Sequence, residues 1–321
     1  MKAGKRKIVK PMLACAAAGL VGLNVIASFH AYRFTHFSLG DATKTANPNE
    51  LGFWAKISTL LTGVRNPRPQ NKQLPAENYG TLVLQSNVMT ECWWLPAYAN
   101  NVPQSKGSIA LFHGYSGSKA TMLDKAAIFR NLGYNVLLVD FMGSGGSEGN
   151  VTTIGYKEAE QVRTAFEYLK NNVAGKIYLF GTSMGAAAVM KAISDYHLQP
   201  RAIMVECPFG TMYGTVAARF RQMGAPAFPL AGLLVFWGGA ENGFWAFGHN
   251  PENYASHIDC PVLLMYGGKD PNVSKEETEA IFDNLKGPKT LKIYPEAGHE
   301  NYLLKYRQDW SNDVTKFLKS Y

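Results

Sequence analysis

A serine between two glycines suggests nucleophilic catalysis. Ser183 stands in "GTSMG", residues 181–185, between the strand-like run "IYLF" and an alanine-rich helical pattern. This is the G-x-S-x-G pattern of a strained strand-to-helix turn that exposes a serine hydroxyl, and small neighbours avoid steric clashes in such a turn. The sequence therefore predicts Ser183 as a nucleophile.

A serine hydroxyl is a weak nucleophile at neutral pH and needs a base that takes its proton. His299 is the preferred base among the seven histidines, because it stands in "AGHENY", just beyond the last predicted strand. The base in turn needs a carboxylate on its other nitrogen. Asp270 follows the preceding predicted strand in "GGKDPNV", although alone it would indicate only a turn before proline. The three residues have the order Ser…Asp…His of one hydrolase architecture, and we predict that they form a catalytic triad.

The oxygen of a tetrahedral intermediate carries negative charge and needs backbone N–H donors. We expect the first donor from Met184, directly after the nucleophile, and the second from Tyr115 in "HGYSG", residues 113–117. His113 in the same motif is expected to brace the loop and not to act as a base.

A glycine-rich loop and the four cysteines are the features that could indicate cofactor or metal binding. "DFMGSGGSEG", residues 140–149, is rich in glycine but has neither the Lys-Ser/Thr pair of a P-loop nor G-x-G-x-x-G entering a helix. The four cysteines form no C-x-x-C pair and no His/Cys cluster with zinc-ligand spacing. We therefore expect no cofactor, no metal and no disulfide framework.

Apolar runs of strand length alternate with helical patterns after about residue 76. The predicted strands occupy residues 81–86, 91–97, 108–114, 135–141, 176–182, 202–209, 261–268 and 290–296; the predicted helices lie near 119–131, 155–172, 184–196, 274–286 and 301–319. Continuous apolar strands separated by helices predict an α/β fold with a mostly parallel eight-stranded sheet and helices on both faces. The first two strands, more polar and close together, predict an antiparallel hairpin at its edge.

The predicted site residues all follow strands, so we expect them at the carboxyl edge of the sheet, where open parallel sheets form their sites. The segment at about 210–258 is longer than one crossover helix requires and is rich in aromatic residues. It predicts a small apolar cap, or additional core packing, near that edge.

The amino-terminal segment has the character of an export signal. Five units of the formal charge of +8 come from Lys and Arg within the first ten residues, which leaves +3 and argues against a nucleic-acid partner. Residues 11–29 carry no charge and, as a helix, would nearly span a hydrocarbon core about 30 Å thick. Residues 1–30 are therefore expected to be a signal peptide cleaved after Ala27 or an uncleaved membrane anchor.

The rest of the chain is expected outside the cytoplasm, in the periplasm or at the cell surface, because the positive end of such a segment stays inside. Residues 31–75 are expected to be a linker that carries a short amphipathic helix near 51–63. Residues 76–321 are expected to form the main domain.

Five motifs in this domain resemble the α/β-hydrolase superfamily, within it the serine aminopeptidase and lysophospholipase-like group: "HGYSG", "DFMGSGGSEG", "GTSMG", "GGKDPNV" and "AGHENY". The resemblance covers about residues 76–321 and implies the same triad and oxyanion residues. One departure is at Met142 and Ser144, where the group often carries Arg-Gly-His-Gly.

These features predict a serine hydrolase that cleaves a small-molecule or lipid-like carboxylic ester through an acyl-enzyme, as a monomer. Peptide hydrolysis is an alternative, which would require a carboxylate near the site to bind a free amino terminus; Glu148, Glu206 and Glu241 are the candidates. A binding protein with a silent hydrolase fold is the third hypothesis.

Overall fold

The apolar runs of the sequence form the strands of a central sheet. The computed structural model describes residues 2–40, 43–46, 50–99, 102–103 and 105–321. Its strands are β1 (Gly80–Gln85), β2 (Met89–Leu95), β3 (Tyr98–Ala99), β4 (Val102–Pro103), β5 (Ser108–Phe112), β6 (Asn135–Val139), β7 (Ile177–Thr182), β8 (Ala202–Glu206), β9 (Val262–Gly267) and β10 (Lys289–Tyr294). Eight of them form one sheet in the order β1-β2-β6-β5-β7-β8-β9-β10, while β3 and β4 form a separate short hairpin.

The sheet has the mixed topology that the sequence predicts. Strands β5 to β10 of this sheet pair in parallel, whereas β1 pairs with β2, and β2 with β6, in antiparallel fashion. Every residue of β5, β6, β8 and β9 is buried, but β1 at the edge has no buried residue. Central parallel strands are covered on both faces, which explains their continuous apolar runs.

Helices cover both faces of the sheet. They are α3 (Leu123–Asn131), α4 (Glu158–Asn172), α5 (Met184–Tyr196), α8 (Pro251–Tyr254), α9 (Lys275–Asn284), α10 (Tyr302–Lys305) and α11 (Arg307–Ser320). Apolar residues of α4, α5 and α9 form one core layer, and those of α3 and α11 form the other. The α/β fold predicted from the sequence is therefore confirmed.

The remaining helices lie outside these layers. The segment predicted as a cap folds mainly into α6 (Met212–Met223) and α7 (Leu230–Asn242), which pack on each other through a third apolar cluster. The amino-terminal helix α1 (Lys2–Thr35) packs along α7. Trp237 Nε1 donates to Asn24 Oδ1 at 3.1 Å, and Ser28 Oγ donates to Glu241 Oε1 at 2.7 Å. Ser28 lies four residues after Asn24, and its partner Glu241 lies four residues after Trp237. The two helices therefore run in parallel.

Helix α1 also contains an apolar stretch that is long enough to cross a membrane. Within residues 12–35, the most apolar 18-residue window has a mean hydropathy of 2.0, and only 6% of its residues are buried inside the protein. A helix of this length and composition fits a membrane span, as it also fits a signal sequence.

The segment predicted as a linker lies against the main domain. Helix α1 continues past residue 30 to Thr35, and α2 (Phe53–Thr62) occupies the predicted amphipathic stretch. The Arg68 guanidinium then donates to backbone carbonyls of the 140–149 loop, and Asn71 Nδ2 donates to Asp140 Oδ2 at 2.7 Å. These bonds satisfy loop carbonyls that need donors, and they hold Arg68 and Asn71 on the domain.

Candidate active site

Ser183 occupies a strained turn between β7 and α5. Its backbone has φ 52° and ψ −111°, a region that a residue with a side chain rarely adopts, and its N–H donates to Glu206 O at 2.8 Å. A Cβ on Gly181 would overlap the Gly185 carbonyl oxygen, and one on Gly185 would overlap the Phe112 carbonyl oxygen. The two glycines thus supply the space that the turn needs.

The three residues predicted as a triad lie together at the carboxyl ends of β7, β9 and β10. The Ser183 Oγ to His299 Nε2 distance is 2.9 Å, and the His299 Nδ1 to Asp270 Oδ2 distance is 2.7 Å. The other carboxylate oxygen of Asp270 accepts from the N–H groups of Asn272 and Val273. The Asp270 side chain is fully buried. The carboxylate is thus fixed, and its bond to Nδ1–H leaves the Nε2 lone pair facing the serine hydroxyl.

Burial and the neighbouring side chains have opposite effects on the pKa of His299. Burial lowers the pKa of His299, but the neighbouring Cys207 sulfur and the Asp270 carboxylate outweigh this effect and raise the pKa above its ordinary value of 6.5. A negative charge near an imidazole favours its protonated form. The arrangement therefore stabilises the imidazolium that forms when a serine proton is transferred.

Met184 and Tyr115 line the cavity next to Ser183. Met184 is the first residue of α5, and the first N–H groups of a helix have no acceptor within the helix. Tyr115 is held through its side chain: its hydroxyl donates to Phe34 O at 2.7 Å and accepts from Asn66 Nδ2 at 2.6 Å. These contacts fix the loop that would present the second N–H.

His113 lies under this loop with both ring nitrogens in use. Nε2 accepts from Phe141 N at 3.1 Å, which leaves Nδ1 to donate to Gly114 O at 2.9 Å. Burial lowers the pKa of His113, so the ring stays neutral. His113 therefore braces the loop, and neither nitrogen is left to accept a proton from Ser183.

The cavity at Ser183 has mostly apolar walls. They come from the 152–156 loop, the Cys207–Gly210 loop, α6 and the carboxyl end of α1, and they include Phe34, Ile154, Phe209, Met212 and Val216. The Phe34 ring stacks on the Tyr115 ring with centroids 4.8 Å apart. Phe34 was not among the predicted site residues, because it lies in the presumed linker and belongs to no motif.

Cys207 is the second residue near the triad that the sequence did not indicate. It is buried, has φ 40°, and its sulfur lies within 4.8 Å of the ligand atoms of Asp270 and His299. Catalytic metal sites typically take three ligands from protein, but here His299 is hydrogen-bonded to both Asp270 and Ser183. This geometry suits proton transfer from Ser183 to His299.

The three carboxylates considered for binding an amino terminus have other partners. Glu148 accepts from Met89 N, and Glu241 accepts from Ser28 Oγ. Glu206 is buried and accepts from Trp310 Nε1 at 2.7 Å and from Thr182 Oγ1 at 2.8 Å. None of these carboxylates is among the described residues that line the cavity, whose wall instead includes a cation, Arg219.

Two family models match successive parts of the chain. The model described as serine aminopeptidase, S33, matches residues 103–234, which include Ser183. The model described as PhoPQ-activated pathogenicity-related protein matches residues 248–321, which include Asp270 and His299.

Relatives with similar sequences include an uncharacterized bacterial protein and a vertebrate lipase. YqkD of Bacillus subtilis is 28% identical over 66% of this chain and 70% of its own length. The lysophosphatidylserine lipase ABHD12 of the zebrafish Danio rerio is 24% identical over 60% of this chain, which spans about half (51%) of the lipase.

Among solved structures, an esterase of Pyrococcus furiosus has a similar fold. It superposes with a TM-score of 0.65 and 23% sequence identity over 79% of this chain and 97% of the esterase. An esterase of Exiguobacterium antarcticum superposes with a TM-score of 0.56 and 17% identity over 75% of this chain and all of that chain. These likenesses establish the fold.

Proposed function

Because the chain belongs to the α/β-hydrolase superfamily and is a hydrolase, we propose that it is a serine hydrolase of carboxylic esters with an apolar or acyl-chain part. The observation that carries the proposal is the hydrogen-bonded chain Ser183–His299–Asp270, which ends in a cavity with apolar walls. Similarity to a lysophosphatidylserine lipase and to esterases supports a small ester or lipid as the substrate class.

The proposed reaction begins when Ser183 Oγ attacks the ester carbonyl carbon. His299 Nε2 takes the hydroxyl proton, and Asp270 stabilises the imidazolium that results. The N–H groups of Met184 and Tyr115 donate to the carbonyl oxygen as it becomes an oxyanion. His299 then returns the proton to the leaving alkoxide, and the C–O bond breaks to give an alcohol and an acyl-Ser183.

Water completes the cycle. His299 removes a proton from a water molecule that attacks the acyl carbon, and the proton then passes to Ser183 Oγ as the acid is released. The alcohol leaves before water reacts with the acyl-Ser183. We therefore expect two-step kinetics with a covalent intermediate.

The amide alternative has weaker support. Recognition of a free amino terminus needs a carboxylate in the cavity, and the described lining holds none while it does hold Arg219. The apolar walls of the cavity, which include Phe34 and Val216, suit an acyl chain instead.

The test compares hydrolysis of short p-nitrophenyl esters by the wild-type protein and by Ser183→Ala. We expect the variant to lose at least 10³-fold in kcat, as is typical when a triad nucleophile is removed. Ser320→Ala, an exposed serine at the end of α11, is the matched control and should keep full activity. Equal rates for Ser183→Ala and the wild type would refute the assignment.

We also infer that α1 anchors the domain to a membrane without being cleaved, with the domain outside the cytoplasm. Cleavage after Ala27 would remove Asn24, which holds Trp237 of α7. We expect the intact mass of membrane-extracted protein to include residues 1–27, and protease added to spheroplasts to digest the domain. A mass that lacks residues 1–27, or a domain protected from the protease, would contradict this inference.

A further inference from the structure

A single cation of α6 forms part of the wall of the candidate active site. Arg219 lines the same cavity as Ser183 and His299. Its guanidinium carbon lies 4.6 Å from the Phe34 ring centroid and 5.5 Å from the Tyr115 ring centroid. These two rings stack on each other, so they hold the guanidinium in place by cation–π contacts.

Arg219 differs from three buried lysines, each of which lies near a carboxylate. Lys119 binds Asp140 and Glu91, Lys125 lies 3.6 Å from Glu206, and Lys191 binds Asp195. Among the residues that the structure describes, Arg219 has no carboxylate within 4.0 Å and no hydrogen-bond acceptor. Arg219 is half-buried, and an arginine keeps its charge in proteins and has five N–H donors, so its guanidinium has donors available for an anionic ligand.

The described surroundings of Arg219 supply no carboxylate to balance its charge. Burial lowers the pKa of Arg219, and only the Tyr115 hydroxyl opposes this effect. A guanidinium without a carboxylate partner is stabilised when an anion binds to it.

We propose that Arg219 forms an anion subsite, and that the ester cleaved at Ser183 carries a phosphate or carboxylate group near the scissile bond. A planar guanidinium held by two rings presents its N–H edge to such a group, which can bind two N–H donors at once. Phe34 and Val216 supply apolar wall for the acyl chain. The substrate class is therefore an anionic, single-chain amphiphile, and this inference rests on the proposed ester hydrolysis.

The experiment uses full-length, detergent-solubilised protein and three dodecanoyl esters that share one acyl chain. They are dodecanoyl glycerol, which is neutral, dodecanoyl lysophosphatidic acid, which carries a phosphate, and 3-O-dodecanoyl glycerate, which carries a carboxylate. We expect the wild type to have a higher kcat/KM for one or both anionic esters than for the neutral one. The two anionic arms distinguish phosphate from carboxylate.

In Arg219→Leu, the ratio of kcat/KM for the anionic ester to that for the neutral ester should fall roughly 10- to 100-fold, the effect of losing a charged hydrogen-bond donor. Arg219→Lys should restore part of the ratio, because it keeps the charge without the bidentate geometry. Arg221→Leu is the matched control: it removes the same charge from an exposed position on the same helix and should keep the wild-type ratio.

A second measurement covers the case in which Arg219→Leu does not fold. Monododecyl phosphate should inhibit the wild type competitively, and its inhibition constant should rise in Arg219→Lys but not in Arg221→Leu. An unchanged ratio and an unchanged inhibition constant in the Arg219 variants, with ester hydrolysis intact, would overturn the anion subsite alone. If Ser183→Ala cleaves all three esters like the wild type, the proposed function itself fails.

Discussion

At the scale of single residues, the reactivity of the site depends on the proton of His299. Its Nδ1 bond to Asp270 and the 2.9 Å contact of Nε2 with Ser183 Oγ place one imidazole between a carboxylate and a hydroxyl. Only the neutral ring can accept the serine proton. The raised pKa of His299 therefore determines the pH at which the proposed enzyme becomes active.

This direction of shift predicts the acid limb of the pH profile. As pH falls through the raised pKa, His299 becomes protonated and kcat/KM for a neutral ester should decline, with a midpoint above 6.5, the ordinary histidine value. Asp270→Asn should move the midpoint to lower pH and reduce kcat by about 10⁴-fold, the effect known for a triad aspartate. A wild-type midpoint at or below 6.5 would contradict the contribution of Asp270 and Cys207.

Residue patterns predicted that Ser183, Asp270 and His299 lie together, but they did not predict the residues of the cavity wall. Ser183 belongs to a steric motif that needs glycines at fixed positions, and Asp270 and His299 follow strands that the apolar runs reveal. Phe34 reaches the site through a contact with Tyr115, 81 positions away in the chain. A local sequence pattern does not reveal a contact between such distant residues. No sequence motif indicated Arg219 either.

At the scale of elements, the turn between β7 and α5 holds the nucleophile by close backbone packing. The start of α5 lies so near the end of β5 that a methyl group at Gly185 would overlap the carbonyl oxygens of Phe112 and His113. These atoms belong to the buried centre of the sheet and cannot shift easily. The turn that holds Ser183 is thus a rigid part of the core.

A Gly185→Ala substitution measures this constraint. We expect it to lower the free energy of unfolding by about 1–3 kcal/mol, the usual cost of overpacking, and to reduce ester hydrolysis. Gly238→Ala in α7 is the control: a methyl group there would meet nothing within 4 Å, so it should stabilise by about 0.5–1 kcal/mol. Urea denaturation in detergent measures the free energy of unfolding of each variant. Equal values for Gly185→Ala and the wild type would argue against tight packing of the turn.

The elements themselves were largely predictable, and their relations outside the sheet were not. Each of the eight predicted strands appears within a few residues of its predicted bounds, since buried parallel strands need continuous apolar runs. The packing of α1 along α7 depends on pairs such as Asn24 with Trp237, 213 positions apart. Residues 31–75 were expected to be a linker because they are polar and contain prolines. The sequence did not reveal that Arg68 in this segment donates to loop carbonyls of the domain.

At the scale of the whole molecule, the apolar helix and the candidate site form one structure. Helix α1 passes along α7, and Phe34 in its last turn lies in the wall of the cavity that contains Ser183. If α1 lies in a membrane, the cavity is attached directly to the membrane-bound helix, without a long tether. This arrangement suits an amphiphilic ester that partitions into lipid, the substrate class proposed above.

If Ser183 forms the covalent intermediate, a fluorophosphonate should label it, and peptide mass spectrometry locates the adduct. We expect one adduct on Ser183, no labelling of Ser183→Ala, and normal labelling of Ser320→Ala. Folded wild-type protein that remains unlabelled, or that carries the adduct on another residue, would contradict it.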